Sequence, residues 1–154
     1  KIGEKTGGIV EYKVELLDPI NESKDLVIVV RKHAEAPREW GMDYEPNELE
    51  LAQFTTMATA DNSKIMVIRQ DGEIAAFIWF TFGKTRIDLV SLWTEPEHRR
   101  HGLAQKLKQA VEEWGRKEGK KILTTTVFAT NKKMVNLNEK LGYKIVSYNM
   151  EKEL

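Results

Sequence analysis

The chain has 154 residues, enough for one domain with a real core. Its 24 Lys and Arg balance 24 Asp and Glu, which argues against whole-molecule attraction to nucleic acid or to an anionic membrane. It has no cysteine, which excludes disulfides, thiolate metal sites and a cysteine acyl-enzyme, and its three scattered histidines point to no metal. With no apolar run as long as a membrane span, the plain expectation is a cytoplasmic protein without nucleic-acid or membrane partners.

Residues 1–9 are polar and Gly-rich and read as a loose tail, leaving 10–154 as the folded domain. Tyr12 to Leu17 alternates apolar and charged residues as a first strand, broken by Asp18-Pro19. Asn21 or Ser23 can cap a helix to about Ala34, with Leu26, Val27, Val30 and His33 toward the core. His33 reads as a packed or capping histidine. Glu35 to Glu50 holds six acids against Arg38, with Trp40 and Tyr44 interleaved; it begins as a loop, and Pro46 fits the first turn of a second helix to about Ala58.

Lys64–Gln70, Glu73–Phe82 and Thr85–Thr94 read as an antiparallel meander, with Asp71-Gly72 as a two-residue hairpin turn. The middle strand is apolar on both faces (Ala75 to Phe80) and belongs mid-sheet. A helix follows, with Leu103, Leu107, Ala110, Val111 and Trp114 on one face and Gly119 as its stop. Lys121–Phe128 reads as a strand parallel to Thr85–Thr94, because a helical crossover joins them. Asn131 or Thr130 caps a last helix to Leu141, Gly142 ends it, and Tyr143–Met150 reads as a final strand.

The short basic connection after Thr94 carries the chemistry. A strand feeding a helix through such a turn aims the helix's first unpaired N–H groups and positive dipole end at one point, an anion site. Arg99-Arg100-His101-Gly102-Leu103-Ala104 fits Arg/Gln-x-x-Gly-x-Gly/Ala, with Pro96 three residues ahead. It resembles the pyrophosphate-binding turn of the GNAT N-acetyltransferase superfamily. The tail Asn131 to Tyr143 is similar to that family's Asn-x-x-x-x-x-Leu-Tyr-x-x-x-Gly-Phe/Tyr ending, and the resemblance runs from about Tyr12 onward. It implies a mixed, mostly antiparallel α/β (α+β) sheet with helices on both faces, splayed between strands 85–94 and 121–128 to admit acetyl-CoA.

The resemblance further implies that backbone N–H groups of Arg100, His101, Gly102, Leu103, Ala104 and Gln105 hold the pyrophosphate, with Arg99 and Asn131 in the cofactor site. Leu92, Trp93 and Thr94 would offer a strand edge to the amide-bearing pantetheine arm. Lys106, Lys132 and Lys133 read as solvated, with CoA phosphates as the alternative contact. Counting back from Arg99 places the family's carboxylate base at Asp88, which simple alternation puts on one face with Val90 and Leu92. Glu95, Glu39 and Glu45 are its competitors. The family's thiolate-protonating Tyr falls on Asn138, which cannot act as an acid; Tyr143, Tyr148 and Tyr44 are weak substitutes.

The function expected is direct acetyl transfer from acetyl-CoA to a primary amine in a ternary complex, without metal, by a protein for which a homodimer is allowed. The acidic segment points to a cationic acceptor. A catalytically silent acetyl-CoA-binding module acting through a protein partner is the rival reading, because of Asn138; a purely structural domain is the third.

Overall fold

The most apolar stretch, Ala75 to Phe80, is buried throughout and sits at the middle of the sheet. In the computed structural model, which describes residues 4–6 and 9–154, five strands form one sheet around it. The chain opens with β1 (Glu4–Thr6) paired antiparallel to β2 (Ile9–Glu11). The expected loose tail lies partly at 1–3 and 7–8, outside the described residues. Then come β3 (Val14–Leu16), α1 (Ser23–Glu39), α2 (Glu48–Ala58), β4 (Ser63–Gln70), β5 (Glu73–Phe82), β6 (Arg86–Thr94), α3 (Leu103–Lys117), β7 (Ile122–Thr125) and α4 (Lys132–Lys140). Sheet order is β3-β4-β5-β6-β7, antiparallel except for the parallel β6–β7 pair that the crossover through α3 requires.

Two cores cover the two faces. On one, α3 lays Leu103, Leu107 and Val111 on Ile78, Phe80 and Ile87. Gly115 permits this approach, since a Cβ there would lie 2.6 Å from Ile87 Cδ1. On the other face, Leu26, Val29 and Val30 of α1 and Ala58 of α2 pack on Val67, Phe77 and Trp79. His33 stacks edge-on between Phe54 (4.7 Å) and Trp79 (5.1 Å), and burial pushes its pKa below the ordinary histidine value. It is a packed histidine, one of the two roles the sequence left open.

Several elements differ from expectation. The first helix runs on through Pro37 to Glu39, so the acidic segment begins helical and His33 is not at its end. Its buried spacing is Leu26, Val29, Val30 and Ala34, which turns Val27 outward. Its cap is Glu22, not Asn21 or Ser23. The second helix starts after Pro46, with Asn47 and Glu50 closing a reciprocal capping box. The strand expected at 121–128 stops at Thr125, and Tyr143–Met150 forms no strand.

Candidate active site

The β6–β7 ladder ends at Leu89↔Thr125, while β6 continues to Thr94 with only β5 beside it. From Val90 onward the other edge of β6 has no strand partner among the described residues, so Leu92, Trp93 and Thr94 lie on the open side of a splay. A register shift between Trp79 and Phe80 helps make it: Phe80 pairs with Leu89 and Trp79 with Ser91, leaving Val90 as an extra residue. The bulge also resets the alternation. Val90 and Trp93 join the α1–α2 core, whereas Leu89 and Leu92 join the α3 core. Leu92 therefore does not share a face with Val90, contrary to simple alternation.

At the C-terminal end of β6, Pro96–His98 makes a short 3₁₀ turn. Arg100 (φ 65°) and Gly102 (φ 74°) then both adopt left-handed backbone, and Gly102 is the N-cap of α3. No side chain caps this helix. That differs from α2 and α4, whose first-turn N–H groups are met by Asn47 and Asn131. The N–H groups of Leu103, Ala104 and Gln105 thus face the turn without a side-chain acceptor, at the positive end of a 15-residue helix. Leu103 itself anchors the helix start in the core. Space beside Gly102 is open; its constraint is the positive φ rather than crowding.

A profile described as the Acetyltransferase (GNAT) family matches residues 30–143. The chain belongs to the GNAT acetyltransferase family. Comparison with curated proteins gives no match. Among solved structures, a protein described as a GNAT family acetyltransferase from Staphylococcus aureus is 25% identical, with TM-score 0.64 over 73% of this chain and 98% of that one. AAC(6')-Iy, solved with the bisubstrate analog CoA-S-monomethyl-acetylneamine, shares 16% identity and the fold, with TM-score 0.69 over 94% and 98%. An aminoglycoside acetyltransferase from an uncultured soil metagenomic sample shares the fold at 19% identity, with TM-score 0.68 over 94% and 99%.

In this GNAT acyltransferase Arg99 is held by the protein itself. Its Nε donates to the Thr94 carbonyl (2.9 Å) and its guanidinium pairs with Glu39 at the end of α1 (3.0 Å). It also lies 5.2 Å over the Trp93 ring, which carries Lys32 at 4.9 Å. Lys32 in turn pairs with Glu95 (3.3 Å). Arg99 therefore ties α1 to the end of β6. Arg100 is exposed, and the His101 ring Nδ1 lies 3.0 Å from the His98 carbonyl. The Asn131 side chain accepts from Met134 N (3.2 Å), which commits it to capping α4.

Asp88 sits between Thr81 and Thr124 and is exposed. By alternation with Ile87 and Leu89 it lies on the α1–α2 side of the sheet, one residue before the splay. Among the described residues it makes no ion pair or side-chain hydrogen bond, whereas its three competitors are engaged: Glu95 by Lys32, Glu39 by Arg99 and Glu45 by Arg38. Asn138 is 5% exposed, the most buried residue of α4, and its Oδ1 has no partner. The candidate acids fare unevenly. Tyr148 is exposed and Tyr44 donates to Glu50, while the buried Tyr143 hydroxyl has no partner and is pushed up to about 12 by burial and by Glu112.

The sequence reading missed the bulge at Val90, the Arg99–Glu39 tie and the Asn47–Glu50 box. Only the box had a local signal, Asn-x-x-Glu ahead of an apolar run. Among the described residues no helix is long and apolar enough to cross a membrane.

Proposed function

We propose that residues 10–154 act as one N-acetyltransferase domain that moves the acetyl group of acetyl-CoA directly to a primary amine. The observation that carries this is the uncapped N-terminus of α3 set beside the open edge of β6. The residues fit the cofactor in both halves. Backbone N–H groups from Arg100 to Gln105 would hold the pyrophosphate. The edge at Leu92–Thr94 would bond the amides of the pantetheine arm, and one of its N–H groups would polarise the thioester oxygen. The amine lone pair attacks the thioester carbon, the C–S bond breaks, and the amine proton leaves to a base. With no cysteine to carry an acyl group and no Ser–His pair evident from the spacing, this reading has transfer occur in one ternary complex.

Asp88 takes the role of base in this reading, because it alone among the four candidate carboxylates holds no cation. Asp88→Asn lowers the rate about 10²-fold or more at neutral pH and less at high pH, where more of the amine is already free. A pH-independent effect in steady-state assays would move the role elsewhere. Asn138 cannot protonate the departing thiolate; its unpaired Oδ1 would accept from an amide N–H of the pantetheine arm, and sulfur leaves as thiolate.

The acceptor in this reading is a cationic amine: a polyamine, an aminoglycoside-like sugar, or a peptide amine. The acidic segment supports it with fewer carboxylates than its composition promised. Glu39, Glu45 and Glu50 are bound to Arg99, Arg38 and Tyr44. Asp43 and Glu48 are exposed and hold no cation, and Trp40 of the same segment is exposed as well. Thiol release over a panel of amines tests the whole reading. Cationic acceptors should react with a KM that rises with salt, and Asp43→Lys should raise it several-fold. Efficient, salt-independent acetylation of an anionic amino acid would overturn the acceptor class. Binding of acetyl-CoA without turnover of any amine would favour the silent module, the reading that Asn138 at the family's Tyr position supports.

A further inference from the structure

Three polar side chains between α3 and the end of α4 make no side-chain hydrogen bond among the described residues. Lys108 of α3 is 1% exposed, and its ammonium lies 4.9 Å over the Tyr143 ring. It has no ion pair; Glu112, one turn along, is engaged by Arg116 (3.2 Å). The buried Tyr143 hydroxyl and Asn138 Oδ1 have no partner either. Tyr143 N donates to the Asn138 carbonyl (2.9 Å), which holds those two residues side by side. A buried ammonium without an anion is costly, and an arriving anion would relieve that cost.

Lys108 stands at the inner end of the splay between β6 and β7. At Gly115 the face of α3 meets Ile87 of β6, where an added Cβ would lie 2.6 Å from Cδ1. Lys108 is about two turns earlier, on the same face and about 10 Å nearer the helix start. α3 runs back against the direction of β6, and 10 Å is about three strand residues. That brings Lys108 level with Val90, just past Leu89↔Thr125, the last pair of the β6–β7 ladder. We propose that the Lys108 ammonium meets the sulfur of acetyl-CoA there and protonates it as it departs. This rests on the acetyl-CoA reading above. With the pyrophosphate at the start of α3 and the pantetheine arm along Leu92–Thr94, the sulfur end points toward Val90. The sulfur keeps the electron pair of the broken C–S bond and takes the proton. Lys108 is left as a neutral amine and regains a proton from water once CoA leaves. Burial holds Lys108 at about 8, close to the ordinary range of a thiol, which suits it to that transfer. The titratable groups facing it are Glu112, bound to Arg116, and Tyr143, pushed up to about 12; Asp88 lies on the other face of the sheet.

Lys108→Met and Lys108→Gln, each checked for its fold by circular dichroism, test this against the wild type. Calorimetry should show all three proteins binding acetyl-CoA within about threefold, since no pyrophosphate donor changes. The kcat for acetyl transfer should fall about 10²-fold in both variants. Wild-type kcat should decline above about pH 8 as Lys108 loses its proton, and both variants should lack that decline. A second readout needs no turnover. Free CoA is added, and the ionisation of its thiol is followed by ultraviolet absorbance against pH. Bound to the wild type, the thiol should ionise about one pH unit or more below free CoA; bound to either variant, it should not. Variants that keep both kcat and its alkaline decline overturn the proposal. So does a bound thiol that ionises alike in all three proteins. A wild-type chain that binds no acetyl-CoA overturns the reading beneath the proposal and the proposal with it, and the calorimetry alone reveals that case.

Discussion

Gly102→Val reduces acetyl-CoA affinity at least about 100-fold while the chain stays folded. The residue holds φ 74° at the N-cap of α3, where an L-residue costs roughly 1–2 kcal/mol and a β-branched one more. Relief of that strain rotates the turn and moves the N–H groups of Leu103, Ala104 and Gln105 off their common focus. Those donors have no side-chain cap to hold them, so nothing local resists the change. The stability loss should be modest, about 2–4 °C in Tm for each kcal/mol in a chain of this size. Gly119→Val is the control. Gly119 follows the other end of the same helix at φ 71°, also with open space around its Cβ position, so it suffers similar strain. Calorimetry should show its acetyl-CoA affinity unchanged. Equal affinities for the two variants would mean that the turn does not hold the cofactor.

The parts of this site visible in the sequence are those set by neighbours along the chain. Asp71-Gly72 takes left-handed backbone at both positions (φ 52° and 81°), so the β4–β5 hairpin could be read from two letters. Leu103, Leu107 and Val111 repeat at helical spacing, so α3 and its buried face could be read as well. The parts that stayed hidden depend on register or on distant partners. A bulge is a mismatch between two strands and leaves no mark on one of them, so the face assigned to Leu92 was wrong. Arg99 fits a cofactor motif by spacing, but its guanidinium is bound to Glu39, sixty residues away. The acidic segment shows the same limit. Six carboxylates looked like one field, and three of them are spent on Arg38, Arg99 and Tyr44. The final segment has a strand's pattern without a strand's partner, because pairing needs an edge in the right direction as well as the pattern.

Lys108→Met should raise Tm at neutral pH. Lys108 lies on α3 and is only 1% exposed, with its ammonium 4.9 Å over the Tyr143 ring. Burial holds it down at about 8, and Glu112, one turn along, offsets this only in part. Glu112 is itself shared with Arg116 (3.2 Å). A folded-state value below the unfolded one means that the unfolded chain binds the proton more tightly. Charged Lys108 therefore destabilises the fold at pH 7, by up to about 3 kcal/mol at 1.4 kcal/mol per factor of ten. Losing the ring contact returns roughly 1 kcal/mol of that. Methionine fills similar volume without a charge, so the net gain is about 1–2 kcal/mol, or several degrees in Tm. The pH dependence identifies the cause. Wild-type stability should climb from about pH 8 toward 10 as folded Lys108 loses its proton while the unfolded lysine keeps one. Beyond about pH 10 Tyr143 acts the other way, since its folded value of about 12 lies above that of the unfolded tyrosine. In Lys108→Met the climb between pH 8 and 10 should vanish, and the loss above pH 10 should remain. Parallel Tm-against-pH curves for the two proteins, or a lower Tm for the variant at pH 7, would show that the buried ammonium is well compensated.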